Sequence, residues 1–88
     1  MKIKDGFIVR QIAGQNVAVA LGERAKEFHG MIKLNDSALF IWNLLKKDTT
    51  VDEMIDAMLD EYELDRDTAR SAIEKIVGVL RNAKILEE

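Results

Sequence analysis

The sequence predicts an α+β domain in which a three-stranded antiparallel sheet is followed by a three-helix bundle, in the order β-β-β-α-α-α. Two observations carry this expectation. β-formers alternate through the first third of the chain, and from Asn35 onward the apolar spacing lengthens from two residues to about 3.6, with a capping residue at the head of each helical stretch. The 88 residues are enough for one domain, 1–88, with one core.

Phe7–Ile12 (FIVRQI) is rich in β-formers, and the AGQN that follows is turn material before Val17–Leu21 (VAVAL), so these stretches predict a hairpin. Val17, Val19 and Leu21 share one face of the second strand, with Ala18 and Ala20 on the other. That pattern suits a sheet packed on one side and closely approached on the second. The loop GERAKEF leads to a third short strand, from about Phe28 to Leu34. Asn35 or Asp36 then caps a helix to about Lys46 that is apolar all round and central to the core. Thr50 and Glu53 form a T-x-x-E capping box ahead of Val51, Ile55, Met58, Leu59 and Tyr62, an amphipathic helix with an acidic outer face. Asp65 caps the longest helix, where Ala69, Ala72, Ile73, Ile76, Val77, Leu80 and Ala83 recur at intervals of three and four. Its apolar stripe, about 160° wide from Val79 round to Val77, is broader than one contact needs and leaves part for another purpose. Three strands before three helices make a winged-helix relative the natural expectation.

Composition narrows the chemistry. With no cysteine there is no disulfide scaffold, iron–sulfur cluster or thiol nucleophile. No apolar run is long enough for a signal peptide or a membrane span, so the expected compartment is cytoplasmic and the expected state a monomer or small homo-oligomer. Residues 1–35 carry a net charge of +3 and the remainder −6, and Asp48–Asp67 holds nine acids against Arg66 alone. That acidic stretch would repel a nucleic acid duplex.

No catalytic residue, cofactor or metal is predicted. His29 is the single histidine and has no serine, cysteine or metal-ligand partner at a recognisable spacing, which reads as an ordinary strand-edge residue. The acids of the second helix lack calcium-loop spacing, and Gly14, Gly22 and Gly30 are too scattered for a phosphate loop. Phe40 and Trp42 read as core. A winged-helix DNA-binding regulator is the alternative function, with Arg70, Lys75, Arg81 and Lys84 on its third helix. Asp67 and Glu74 on that helix, a hairpin tip without bases and the acidic second helix oppose it. The third strand, reached by a long loop, is expected at a sheet edge, and an unpaired edge is a template for an extended peptide.

Three stretches carry a family resemblance: KLNDSALFIWNLL (33–45), TTVDEMIDAMLDEYELD (49–65) and the terminal VLRNAKILEE (79–88). In order and spacing they resemble the PqqD-like family over nearly the whole chain. The resemblance implies a small non-catalytic peptide chaperone, the recognition element of pathways that modify ribosomally made peptides. The leader of a precursor peptide would lie as an added strand against the third strand, beside the third helix. The domain would then deliver that peptide to a modifying enzyme, often a radical S-adenosylmethionine enzyme, as in pyrroloquinoline quinone (PQQ) or related biosynthesis. Carried onto this chain, the receiving edge is Phe28, Gly30, Met31, Ile32, Lys33 and Leu34. Ile73 and Val77 would supply apolar pockets, while Arg70 and Arg81 on the adjoining flank would meet leader acids. Ile32→Pro is expected to weaken peptide binding if that amide faces the groove.

Overall fold

The computed structural model describes residues 1–27 and 30–88, so Phe28 and His29 lie outside the described residues. The elements are β1 (Lys2–Ile3), β2 (Phe7–Ile12), β3 (Gln15–Ala20), α1 (Arg24–Glu27), β4 (Ile32–Leu34), α2 (Asp36–Leu44), α3 (Val51–Glu61), α4 (Arg66–Asn82) and β5 (Leu86–Glu87). The fold is α+β, with the expected three-stranded antiparallel sheet in the order β2-β3-β4.

The plan is not a clean β-β-β-α-α-α. Helix α1 interrupts the strands, and a two-stranded ribbon joins β1 to β5 through Lys2↔Glu87 and Ile3↔Leu86. α1 forms where a loop was expected because its charges are spaced for a helical turn: Arg24 lies 3.3 Å from Glu27 and Lys26 3.4 Å from Glu23. The ribbon escapes sequence reading because two-residue strands have no period, and backbone bonds hold it in place. Ile3 donates to the Leu45 carbonyl and Lys4 to that of Ile85, both at 2.8 Å.

The β2–β3 hairpin turns on two residues, Ala13 (φ +53°) and Gly14 (φ +78°), tighter than the four-residue AGQN suggests, so Gln15 and Asn16 join the strand. Two consecutive positive φ values are the mark of a type I′ turn, whose twist matches that of paired strands. Side-chain alternation then puts Phe7, Val9, Ala18, Ile32 and Leu34 on one face and Ile8, Arg10, Val17 and Lys33 on the other. The alanine face meets the helices. Ala18 is 1% exposed within the core, whereas Val17, equally buried from solvent, lies between Arg10 and Lys33 on the far face.

The three long helices begin where their caps predict. The Asn35 side chain accepts from the Ala38 amide at 2.8 Å, that of Thr50 from Glu53 at 3.1 Å, and that of Asp65 from Thr68 at 2.7 Å. α2 supplies the middle of the core with Ala38, Ile41 and Trp42, followed by Leu45. Phe40 is only half buried, its ring edge-on to Tyr62 at 5.5 Å. Met54, Ile55 and Met58 of α3 and Ala69, Ile73, Val77 and Leu80 of α4 complete the core.

Candidate functional site: an open sheet edge

β4 is an outer strand of its sheet, paired among the described residues with β3 alone. Which of its backbone groups remain free follows from the hairpin. In a two-residue hairpin the flanking residues, here Ile12 and Gln15, exchange hydrogen bonds, and bonded pairs then alternate along the ladder. Ile12↔Gln15, Arg10↔Val17 and Ile8↔Val19 are therefore the bonded pairs of β2 and β3. The bond from the Leu21 amide to the Gly6 carbonyl, 2.7 Å, extends the same series.

Since Val17 spends its backbone groups on β2, the Val17↔Lys33 pair across β3 and β4 is not hydrogen-bonded. Its neighbours Ala18↔Ile32 and Asn16↔Leu34 are. Ile32 and Leu34 thus face β3, and Lys33 turns both its N–H and its C=O to the open edge. No backbone bond outside the ladder involves Met31 or Lys33 among the described residues. The site is one anchor residue wide within the strand, with Gly30 and the 65%-exposed Met31 just before it. This reverses the condition attached to Ile32→Pro, because the Ile32 amide belongs to the ladder.

The edge is held firmly at one end. Asn35, directly after β4, caps α2 with its side chain and accepts the Leu39 amide on its carbonyl, 2.8 Å, so strand and core helix meet without a linker. A cleft of about 370 Å³ at this end is lined by Gly14, Gln15 and Asn16 of the hairpin and by Lys33–Asp36.

Helix α4 has two flanks beside its buried stripe. At about 3.6 residues per turn, Arg70 and Arg81 fall on one, and Ala72, Ile76, Val79 and Ala83 on roughly the opposite one. Arg70 leans toward α3, 3.7 Å from Asp52. Arg81 donates two hydrogen bonds to Glu88 at 2.8 and 2.6 Å, which hold the Glu88 carboxyl below its ordinary range and push the Arg81 guanidinium up. The apolar flank turns the other way, since Ala83 lines a cleft with Phe7 of β2 and with Arg24 and Glu27 of α1.

Of the four helix residues the resemblance implies, two are buried and two are ion-paired. Ile73 is fully buried and Val77 is 3% exposed, so both are core rather than open pockets. Arg70 and Arg81 are exposed but already paired, on the side away from the apolar flank. The apolar side chains that stay accessible on α4 are Ile76, half buried, and Val79, 43% exposed, with Ala72 and Ala83 between them on the same flank. A broad stripe was legible in the sequence; which of its margins stays open depends on where α3 packs.

Among the described residues no group of His, Asp or Glu could hold a metal ion. The α3 acids are exposed, and Asp56 pairs with Arg66 at 3.1 Å. No helix among the described residues is long and apolar enough to cross a membrane.

A small sheet whose outer strand β4 turns backbone groups outward and leads directly into a helical layer defines an α+β domain organised around an edge strand. The chain belongs to the PqqD family: the family model described as coenzyme PQQ synthesis protein D matches residues 17–86, the span from β3 to β5. No curated protein matches the chain. The chain is similar to the solved structure of TbiB1 in complex with the TbiA(beta) leader peptide, with 28% sequence identity and a TM-score of 0.75 over 99% of this chain and 95% of that one.

Proposed function

We propose that residues 1–88 act as one winged-helix-like peptide-recognition unit, a non-catalytic chaperone for the leader of a ribosomally synthesised precursor peptide. The leader adds as a strand to β4, bonding through Lys33, and rests alternate side chains on the apolar flank of α4. The chain then presents the peptide to a modifying enzyme in trans, a radical S-adenosylmethionine enzyme, in the biosynthesis of PQQ or a related modified peptide. We place this activity in the cytoplasm and assign the chain a monomeric or small homo-oligomeric state.

The observation that carries the reading is the outward pair of backbone groups on Lys33 at an outer strand, the template β-augmentation uses, in a chain whose longest helix keeps an exposed apolar flank. Membership of the PqqD family and the likeness to a leader-bound chain support it. The DNA-binding alternative loses support because two of the cations it needs, Arg70 and Arg81, are paired with Asp52 and Glu88. Amide-shift titration with precursor peptides encoded near the gene tests the reading. Shifts are expected at Met31, Lys33, Ile76 and Val79; silence there with every such peptide would overturn it.

A further inference from the structure

Where α4 ends, a cleft of about 330 Å³ is lined by Lys4, Phe7, Arg24, Glu27, Ala83 and Lys84. Three cations there face one carboxylate. Arg24 is held in place: its Nε donates to the Asp5 carbonyl at 3.0 Å, and its stem covers Gly6, where a Cβ would run into it. Its Nη1 reaches the exposed Glu27 at 3.3 Å, while Lys4 and Lys84 have no ion pair among the described residues.

Lys84 is an unexpected residue for its position. The Lys84 amide donates to the Arg81 carbonyl and the Ile85 amide to that of Leu80, both at 3.0 Å, and Lys84 has φ +61°. This is a Schellman ending of α4, whose left-handed position favours glycine. A lysine there carries backbone strain that glycine would not, and such strain clusters at ligand-binding positions.

We propose that this cleft is a subsite for an acidic side chain of the bound peptide, placed beyond the segment that pairs with Lys33. The inference rests on the peptide-binding reading above. The occupant follows from charge complementarity and from continuity with the groove. Ala83 belongs both to the cleft and to the apolar flank of α4.

The test uses the full chain and synthetic peptides with an apolar, β-prone stretch, in which a single Glu or Gln is stepped outward from that stretch. At one position the Glu peptide is expected to bind about fivefold more tightly than its Gln counterpart, as befits one partly exposed charge contact, and to shift the Arg24 and Lys84 amides. Lys84→Gly should abolish that preference while raising the Tm, because glycine relieves the left-handed position, so a loss of binding cannot be ascribed to misfolding. Glu27→Gln should strengthen binding of the Glu peptide by removing a competing carboxylate. Peptides that shift Lys33 yet bind equally as Glu and Gln overturn the subsite and leave the peptide-binding reading standing. So does a preference that survives Lys84→Gly, which would reduce Lys84 to a helix-end charge. Sodium acetate that shifts Lys84 with no peptide preference for Glu would make the cleft a small-anion site and also overturn it. No shift at Lys33 with any peptide overturns both.

Discussion

Val17 and Lys33 face each other across the β3–β4 ladder as a pair that exchanges no backbone hydrogen bond, and this leaves both backbone groups of Lys33 at the open edge. Adjacent proline substitutions should therefore behave oppositely. Lys33→Pro removes the outward N–H and spares the ladder, so peptide affinity should fall about tenfold, the worth of one hydrogen bond, with little change in urea midpoint. Ile32→Pro leaves the Ala18 carbonyl without its donor and should cost about 1–3 kcal/mol of stability by urea denaturation. The reverse ranking would mean that the ladder parity is wrong.

On α4, stability and binding should separate by residue. Ile73→Ala opens a cavity in a fully buried site and should destabilise by about 3 kcal/mol. Val79→Ser, at a 43%-exposed position, should stay within about 0.5 kcal/mol of the parent by thermal melting while weakening peptide binding measured by calorimetry. Unchanged affinity would remove Val79 from the groove.

Asn35 joins the edge to the core, since its side chain caps α2 one residue after β4 ends. Asn35→Ala should cost about 1 kcal/mol of stability and speed hydrogen exchange at Ala38, which loses its acceptor. Slower peptide association should accompany it, because a loosened edge must be ordered on binding. Unaltered Ala38 exchange would show that the cap is dispensable.

Asp65 gives the stability a pH-dependent component. Hydrogen bonds from Thr68, side chain first and then backbone, hold its carboxyl below the ordinary aspartate range. A group whose pKa is depressed by folding stabilises above its unfolded value, near about 3.9, and loses that contribution as pH falls through the folded value. Asp65→Asn keeps an uncharged cap, so the stability gap between the two proteins should be constant from about pH 5 to 8 and close below about pH 4. Urea titrations across that range check it; a gap that widens with acid would contradict the sign.

The long helices were legible because their signals are local. Asn35, Thr50 and Asp65 each cap a helix through an amide three residues on, a contact settled within one turn of chain. The alternation of β2 and β3 and the edge position of β4 could be read for the same reason. The sequence predicts a loop where α1 forms, because its i,i+3 charge pairs are only a weak helical sign, and Arg24 and the cleft it lines lie in that stretch.

What the sequence determined alone, then, is the period of each segment, the residues that start its helices and the family pattern they compose. Tertiary structure decided the rest: a turn conformation that several residue types can adopt, and contacts between groups far apart in the chain. The two-residue turn at Ala13 and Gly14 fixes the ladder parity and so which amide of β4 faces outward. The packing of α3 occupies the Arg70 flank of α4 and leaves the Val79 flank open, and only the chain ends meeting as β1 and β5 set Lys4 beside Lys84. Periodicity tells how wide a stripe is; the neighbours that cover part of it determine which part is left to bind.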